Sequence, residues 1–399
     1  MEIRKIKPDE MVAASLLSTV VYLMEQPEDY KDRLKNPLEH SGGYENVWAA
    51  FDDGGKMCSL TSVLGFQTRF DGHTVAMGGV AGVGTLPEAR NGGYVRKTFE
   101  KILPVMREEG KVFSFLYPFS YEFYRKFGYE LCHMPVRVTV PMDCFREYPF
   151  PGGVVQHFPG GDISEFLTVY EAFIRDKNLS VVRDAEAMRE RADKDPYMTK
   201  HYAYLHRPID GGPDAYILFN TDDDDGGGRT LRVREMAWVS PAGLHALFGF
   251  IGGLAPEFEN LQWDAPGGVN LPPLFADGFD IKACLVPGGM NRVVNVRRAL
   301  ELLKAPEQPG RAVIRVTDKT LPSNDGAYAV EWENGAVSSV KPSGKEADLE
   351  TDIQTLTQLV TGFLTPDEAR MKRGTVIYGD GAPLRALFWR KDLYIAERF

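Results

Sequence analysis

The stretch Gly78–Leu103, GGVAGVGTLPEARNGGYVRKTFEKIL, decides how the rest of the chain is read. It joins a strand-like run, Val75 to Gly84, to a helix expected from about Gly93 to Glu109. The helix is amphipathic: Val95, Thr98, Phe99, Ile102, Leu103 and Met106 recur at helical spacing. Pro104 falls inside that pattern and predicts a kink or the start of the last turn. The early glycines suggest a dinucleotide site, yet no G-x-G-x-x-G opens the helix and no G-x-x-x-x-G-K-[ST] occurs. What stands at the junction is Arg90-Asn91-Gly92-Gly93-Tyr94-Val95. Two glycines let the backbone approach a ligand closely, the N–H groups of a first helical turn favour an anion, and Arg90 adds a fork of donors. A pyrophosphate is the ligand these features predict. An ordinary helix start behind a glycine loop accounts for the same residues.

Upstream, Val47 to Asp52 and Met57 to Phe66 read as strands with a turn at Asp53-Gly54-Gly55. Downstream, KVFSFLYPF (Lys111–Phe119) reads as a buried strand and SYEFYRKFGYE as a short helix ended at Gly128. YPFPGG, at Tyr148 to Gly153, looks like a domain boundary. A second mixed pattern continues to about residue 290, with strands at AYILFN and LRVREMAWVS and a helix at PAGLHALFGFIGGLA. Between those strands, TDDDDGGGRT reads as a solvated hairpin tip rather than a metal site, because four consecutive Asp cannot all face one ion. From about Met290 come three strands, RAVIRVTD, AYAVEWEN and GAVSSVKP, with turns at Asn324-Asp325-Gly326 and Asn334-Gly335, then a helix over DLETDIQTLTQLVTGF. Three units are expected: 1–147, 148–290 and 291–399, all mixed α+β.

Composition narrows the function classes. The chain has 399 residues, 43% hydrophobic and 26% charged, with a net charge of −10. That balance argues against a nucleic-acid binder and is compatible with a cationic amine substrate, although acidic proteins are common. Cys58, Cys132, Cys144 and Cys284 show no metal-ligand spacing and read as reduced thiols, which fits a cytoplasmic protein. No metal site, no apolar leader and no membrane-spanning run is expected. Asn178-Leu179-Ser180 matches a glycosylation acceptor by chance.

A strand, then R-x-x-G-x-(small), then a helix, then a strand and FYRKFGYE resembles the GNAT family of acetyl-CoA-dependent N-acetyltransferases. The resemblance implies that Val83 and Thr85 face the pantetheine arm of acetyl-CoA on a strand that splays from its neighbour. It implies that Arg90, Asn91, Gly92, Gly93, Tyr94 and Val95 hold the pyrophosphate. Val95 departs from the pattern, which prefers Gly or Ala. Tyr124 takes the place of the phenol beside the thioester sulfur, a general acid whose ordinary pKa near 10 keeps it protonated. Tyr121, Phe123 and Tyr129 read as packing residues.

The likeness extends along the chain. TLPEARNGGYVRKTF, MNRVVNVRRALE, DLETDIQTLTQLVTG and a terminal Phe are similar to Eis-type (enhanced intracellular survival) acetyltransferases. These imply an active first GNAT domain, a degenerate second one, a C-terminal domain like sterol carrier protein 2, and a homohexamer. They also imply that the last residue's α-carboxylate, here on Phe399 in KDLYIAERF, enters the first domain's site as the base on the acceptor. A tail docked for stability alone explains the same ending. The implied acceptor is a small cationic amine: an aminoglycoside, a polyamine or a lysine-like amine. Glu25, Glu28 and Asp29 suit an acceptor cleft, and solvated helix ends explain them equally. The competing readings are a lipid or acyl carrier and a CoA-binding regulator without turnover.

Overall fold

A computed structural model describes residues 1–25, 30–40, 42–221 and 229–399. Glu28 and Asp29, and the Asp run of TDDDDGGGRT, lie outside the described residues.

Three sheets organise the chain. The first has seven strands in the order Glu2–Lys5, Val47–Phe51, Met57–Phe70, His73–Thr85, Phe113–Leu116, Met290–Val293, Glu130–Leu131. The second also has seven: Lys282–Leu285, Val136–Pro141, Asn260–Ala265, Thr230–Trp238, Ala215–Asn220, His201–His206, Val154–His157. The third has five: Ala336–Pro342, Gly326–Glu333, Gly310–Thr317, Leu349–Asp352, Val376–Ile377.

The strands cross the expected limits at 147/148 and 290/291. Val136–Pro141 pairs with Asn260–Ala265 in the second sheet, so YPFPGG lies inside the second unit rather than at its edge. Met290–Val293 returns to the first sheet and pairs with both Phe113–Leu116 and Glu130–Leu131. Such an exchange is decided by long-range pairing, which leaves no local punctuation. The helical reading of DLETDIQTLTQLVTGF also shortens. Leu349–Asp352 is a strand, and the helix Ile353–Thr361 begins where the Asp352 side chain accepts from the Thr355 N–H at 2.7 Å. Pro104 does not stop its helix, which runs over Tyr94–Glu108.

The third domain shares its core with the first. Phe70, Phe113 and Phe115 pack in one cluster with Leu300, Ile314 and Leu356. At this seam Arg292 and Asp318, both fully buried, pair at 2.6 Å. Further bonds support the two charges: Arg292 also donates to the Phe127 carbonyl, and Asp318 accepts from the Leu321 N–H and the Asn324 amide.

The tail is fixed by all three domains. Asp71 accepts from the Asn178 side chain, from the Lys304 N–H and from the Lys391 ammonium, the last at 2.6 Å with both side chains buried. Asn178 also accepts the Tyr394 N–H on its carbonyl and donates its own N–H to the Asp392 carbonyl. The apparent glycosylation acceptor is thus a buried anchor.

Candidate active site

The long strand His73–Thr85 pairs in parallel with Phe113–Leu116 only from Met77/Phe113 to Val80/Leu116. Beyond that point a bulge opposite Thr61 places Gly82 at φ +58°, and the strand runs on without that neighbour. A gap opens between two parallel strands at their C-terminal ends, where ligands enter open α/β sheets.

A cavity of about 1000 Å³ lies against this gap. Val83 and Thr85 line it, and so do Arg90, Asn91, Gly92, Gly93, Tyr94 and Val95. The structure thereby gathers every expected cofactor residue around one cavity. The loop is shaped by Asn91 at φ +65° and Gly93 at φ +77°. A Cβ on Gly92 would stand 2.7 Å from the Tyr94 ring and 3.0 Å from the Ala89 carbonyl, so the turn has no room for a side chain there. No side chain caps the Tyr94–Glu108 helix. Its first-turn N–H groups have no partner within the helix and, with the positive end of the helix dipole, suit an anion.

Cations dominate the wall: Arg90, Arg96, Lys126 and Lys319, against Glu100. This donor set fits the phosphates of acetyl-CoA. Sequence reasoning misses Lys319. It comes from the third domain, and its loop is held by the buried Arg292–Asp318 pair and by Arg107, which donates to Ser323 and Asn324. Local motifs carry no signal for such a residue.

Tyr124 is only 3% exposed, on a short helix, Tyr121–Arg125, that Ser120 caps. Its ring meets Phe119, Phe123 and Phe99 edge-on. Phe119 and Phe123 in turn line the cavity. Burial pushes the Tyr124 phenol well above the ordinary tyrosine range, and the nearby Tyr22 adds to this. The neighbours behave as packing residues. The Tyr129 hydroxyl shares a hydrogen bond with the Ser114 hydroxyl, and Tyr121 bonds to Gly288.

Phe399 lies elsewhere. Its ring packs on Phe66, Phe115 and Tyr117 at centroid distances of 5.0, 6.1 and 6.0 Å. It covers Gly79, where a Cβ would come within 2.8 Å of the ring. The Tyr117 hydroxyl donates to the Glu397 carbonyl at 2.7 Å, tying the tail to the end of the Phe113–Leu116 strand. Phe399 lines a second cavity of about 680 Å³ between the first two domains, not the one holding Arg90–Val95. The segment 117–123 walls both: Tyr117 faces the second cavity, Phe119 and Phe123 the first.

Among the described residues, no cluster of three His, Cys, Asp or Glu side chains suits a metal, and no helix is long and apolar enough to cross a membrane.

Comparison with known proteins agrees with this architecture. Two family models, each described as an acetyltransferase (GNAT) domain, match residues 2–132 and 179–293, and a sterol carrier protein domain matches 296–392. An uncharacterized N-acetyltransferase of Streptomyces griseus is 25% identical over 219 residues, covering 51% of this chain. The chain spans about half the length of the curated relatives it matches, 52% of each. Solved structures share the whole fold. A GCN5-related N-acetyltransferase from Anabaena variabilis has TM-score 0.85 at 22% identity, covering 100% of both chains. Eis1 from Mycobacterium abscessus has TM-score 0.82 at 18%, also covering 100% of both. A probable N-acyltransferase from Enterococcus faecalis has TM-score 0.85 at 19%, covering 100% of this chain and 99% of its own. By domain composition the chain therefore carries two acetyltransferase (GNAT) domains in tandem, ahead of a sterol carrier protein domain.

Proposed function

We propose that the protein transfers the acetyl group of acetyl-CoA to a primary amine by direct attack, in the manner of the Eis-type enzymes. One observation carries the reading: the Arg90–Val95 loop and an uncapped helix start wall a cavity at the mouth of a parallel pair that parts after Val80/Leu116. The pyrophosphate lies at Arg90–Val95, with Arg96, Lys126 and Lys319 in reach of the remaining phosphate charge. The pantetheine follows Val83 and Thr85 into the gap.

The bound ammonium first loses one proton to solvent; the neutral nitrogen then attacks the thioester carbonyl carbon and the C–S bond breaks. The departing thiolate takes the Tyr124 proton, giving CoASH. The new C–N bond leaves an excess proton on nitrogen, which passes to the α-carboxylate of Phe399. That carboxylate then returns a proton to the phenolate through solvent. A buried, protonated phenol suits the acid role. The carboxylate is a weak base in water, so its worth lies in orienting the ammonium and accepting the proton as attack proceeds.

The acceptor is a cationic amine, the protein acts in the cytoplasm, and the assembly is a homohexamer. Sedimentation as a monomer at micromolar concentration would refute that assembly. The test of activity is thiol release from acetyl-CoA with a panel of polyamines, aminoglycosides and lysine derivatives. CoASH release dependent on an amine is expected. Fatty-acid binding without release would return the function to a lipid carrier.

A further inference from the structure

We infer that the second cavity is the acceptor pocket and that its arginine-lined wall takes an anionic group of the acceptor. The preferred amine then carries a carboxylate at a distance from its reacting nitrogen. This rests on the acetyltransferase reading above and narrows its acceptor class.

Position supports the role. Direct attack needs the amine to approach from a side that the pantetheine arm does not fill. The segment 117–123 contributes to the lining of both cavities, and Phe399 stands on the wall of the second. At about 680 Å³ the cavity has the size of a small-molecule site.

Charge names the class. Arg137, Arg191, Arg232, Arg234 and Arg398 line the cavity. The carboxylates that line it are Glu235, Asp264 and the α-carboxylate of Phe399; the first two are already engaged, in part by Arg137, Arg191 and Arg398 of the same lining. Glu235 takes both terminal nitrogens of Arg183. Asp264 takes Arg137 at 2.7 and 3.0 Å and Arg398 at 3.3 Å. Arg234 is the extra residue of a bulge, since Leu218 pairs Glu235 while Phe219 pairs Val233. A bulge re-aims a side chain, and this one donates to the Asn220 side chain through Nε at 2.8 Å. A second observation is independent of the arginines. His133 lines the cavity, is 9% exposed, and has an Nδ1 that is buried without a hydrogen-bond partner. Burial lowers its pKa to about 4, so the ring stands neutral at the edge of the cavity. Trp263, Tyr394 and Ile395 supply apolar wall for an aliphatic spacer.

Polyamines and aminoglycosides carry no anion and meet like charge on this wall. A lysine-like amine with a free carboxylate matches both ends: ammonium towards Phe399, carboxylate towards the arginines.

The test compares Nα-acetyl-lysine, its carboxamide and spermidine as acceptors for the full-length protein. The carboxylate should exceed the carboxamide at least tenfold in kcat/KM. Arg234→Gln should bring that ratio towards one without changing KM for acetyl-CoA, and Arg234→Lys should restore part of it. Equal or better turnover of the carboxamide or spermidine overturns the pocket assignment and leaves acetyl transfer standing. Calorimetric titration of Nα-acetyl-lysine into the protein–CoA complex separates the two claims. Binding that needs the carboxylate and is lost in Arg234→Gln, with no amine turned over, supports the pocket and overturns the transferase. Absence of such binding overturns the pocket whatever the turnover.

Discussion

The two GNAT domains open the same gap and fill it differently. In the first, the parallel pair parts after Val80/Leu116; in the second, after Val233/Trp263. In each, a bulge sits on a strand next to the opening. The difference lies in the connection from the long strand to the next helix. Residues 86–93 lead from the first long strand to an uncapped helix, and their glycines leave amides for an anion. Only residues 239–240 lead from Thr230–Trp238 to the helix Pro241–Gly252. That helix closes its own N-terminus: Pro241 has no N–H, Ser240 accepts from the Gly243 N–H at 3.2 Å, and a Cβ on Gly243 would lie 2.8 Å from the Asp214 carbonyl. The second gap borders the 680 Å³ cavity and meets the chain's own tail, Tyr394 to Phe399. On the proposed function, one opening takes the cofactor and the other seats the segment that serves the first.

The comparison is broken most directly at the tail. Extending the chain beyond Phe399 by a few residues should lower kcat by on the order of 10²–10⁴-fold, with acetyl-CoA binding retained by calorimetry. Unchanged kcat would reduce the tail to a docked strap. The second opening should show a stability effect instead. Arg183 and Glu235 are both buried, and Arg183 also holds Glu397 of the tail at 2.7 Å. Arg183→Gln should cost about 3–5 kcal/mol in urea unfolding, because it leaves the buried Glu235 carboxylate with Arg191, at 3.5 Å, as its remaining cation. Burial alone would raise the Glu235 pKa, but Arg183 outweighs it and holds it at about 2. The folded value lies below the unfolded one, so this stability is present above roughly pH 4 and fades as pH falls towards 2. In Arg183→Gln that acid loss should shrink or reverse.

Tyr124→Phe should lower kcat by about 10²-fold with little change in KM for acetyl-CoA, which steady-state kinetics resolves. Lys319→Ala should raise KM for acetyl-CoA by about tenfold, the worth of one charged contact, while leaving an acetyl-pantetheine substrate unaffected. At the small end, Ser240→Ala should cost about 1 kcal/mol of stability and leave acetyl-CoA binding alone, because Ser240 lies outside the lining of the Arg90–Val95 cavity.

The first opening is legible in the sequence because its chemistry is contiguous. Arg90 to Val95, Val83 and Thr85 fall within a few turns of chain, and backbone rules predict what such a junction binds. Tyr124 is legible only through the resemblance, since an aromatic-rich segment reads equally as packing. Lys319, His133 and Arg234 are not legible. Each reaches a cavity through pairing between residues over a hundred apart, or through a bulge that no local pattern announces. The exchange of Val136–Pro141 for Met290–Val293 between sheets escapes for the same reason. Neither segment carries a local signal that names its partner, and only the assembled sheets decide which partner each takes.

Asp71 gathers Asn178, Lys304 and Lys391 on one carboxylate, and so joins three domains beside the segment that ends at Phe399. The site it helps to position is then conditional on all of them. Because synthesis delivers Lys391 to Phe399 last, a molecule whose tail is not yet seated would lack its acceptor side on the proposed mechanism. On that mechanism, the protein inspects its own assembly before it works.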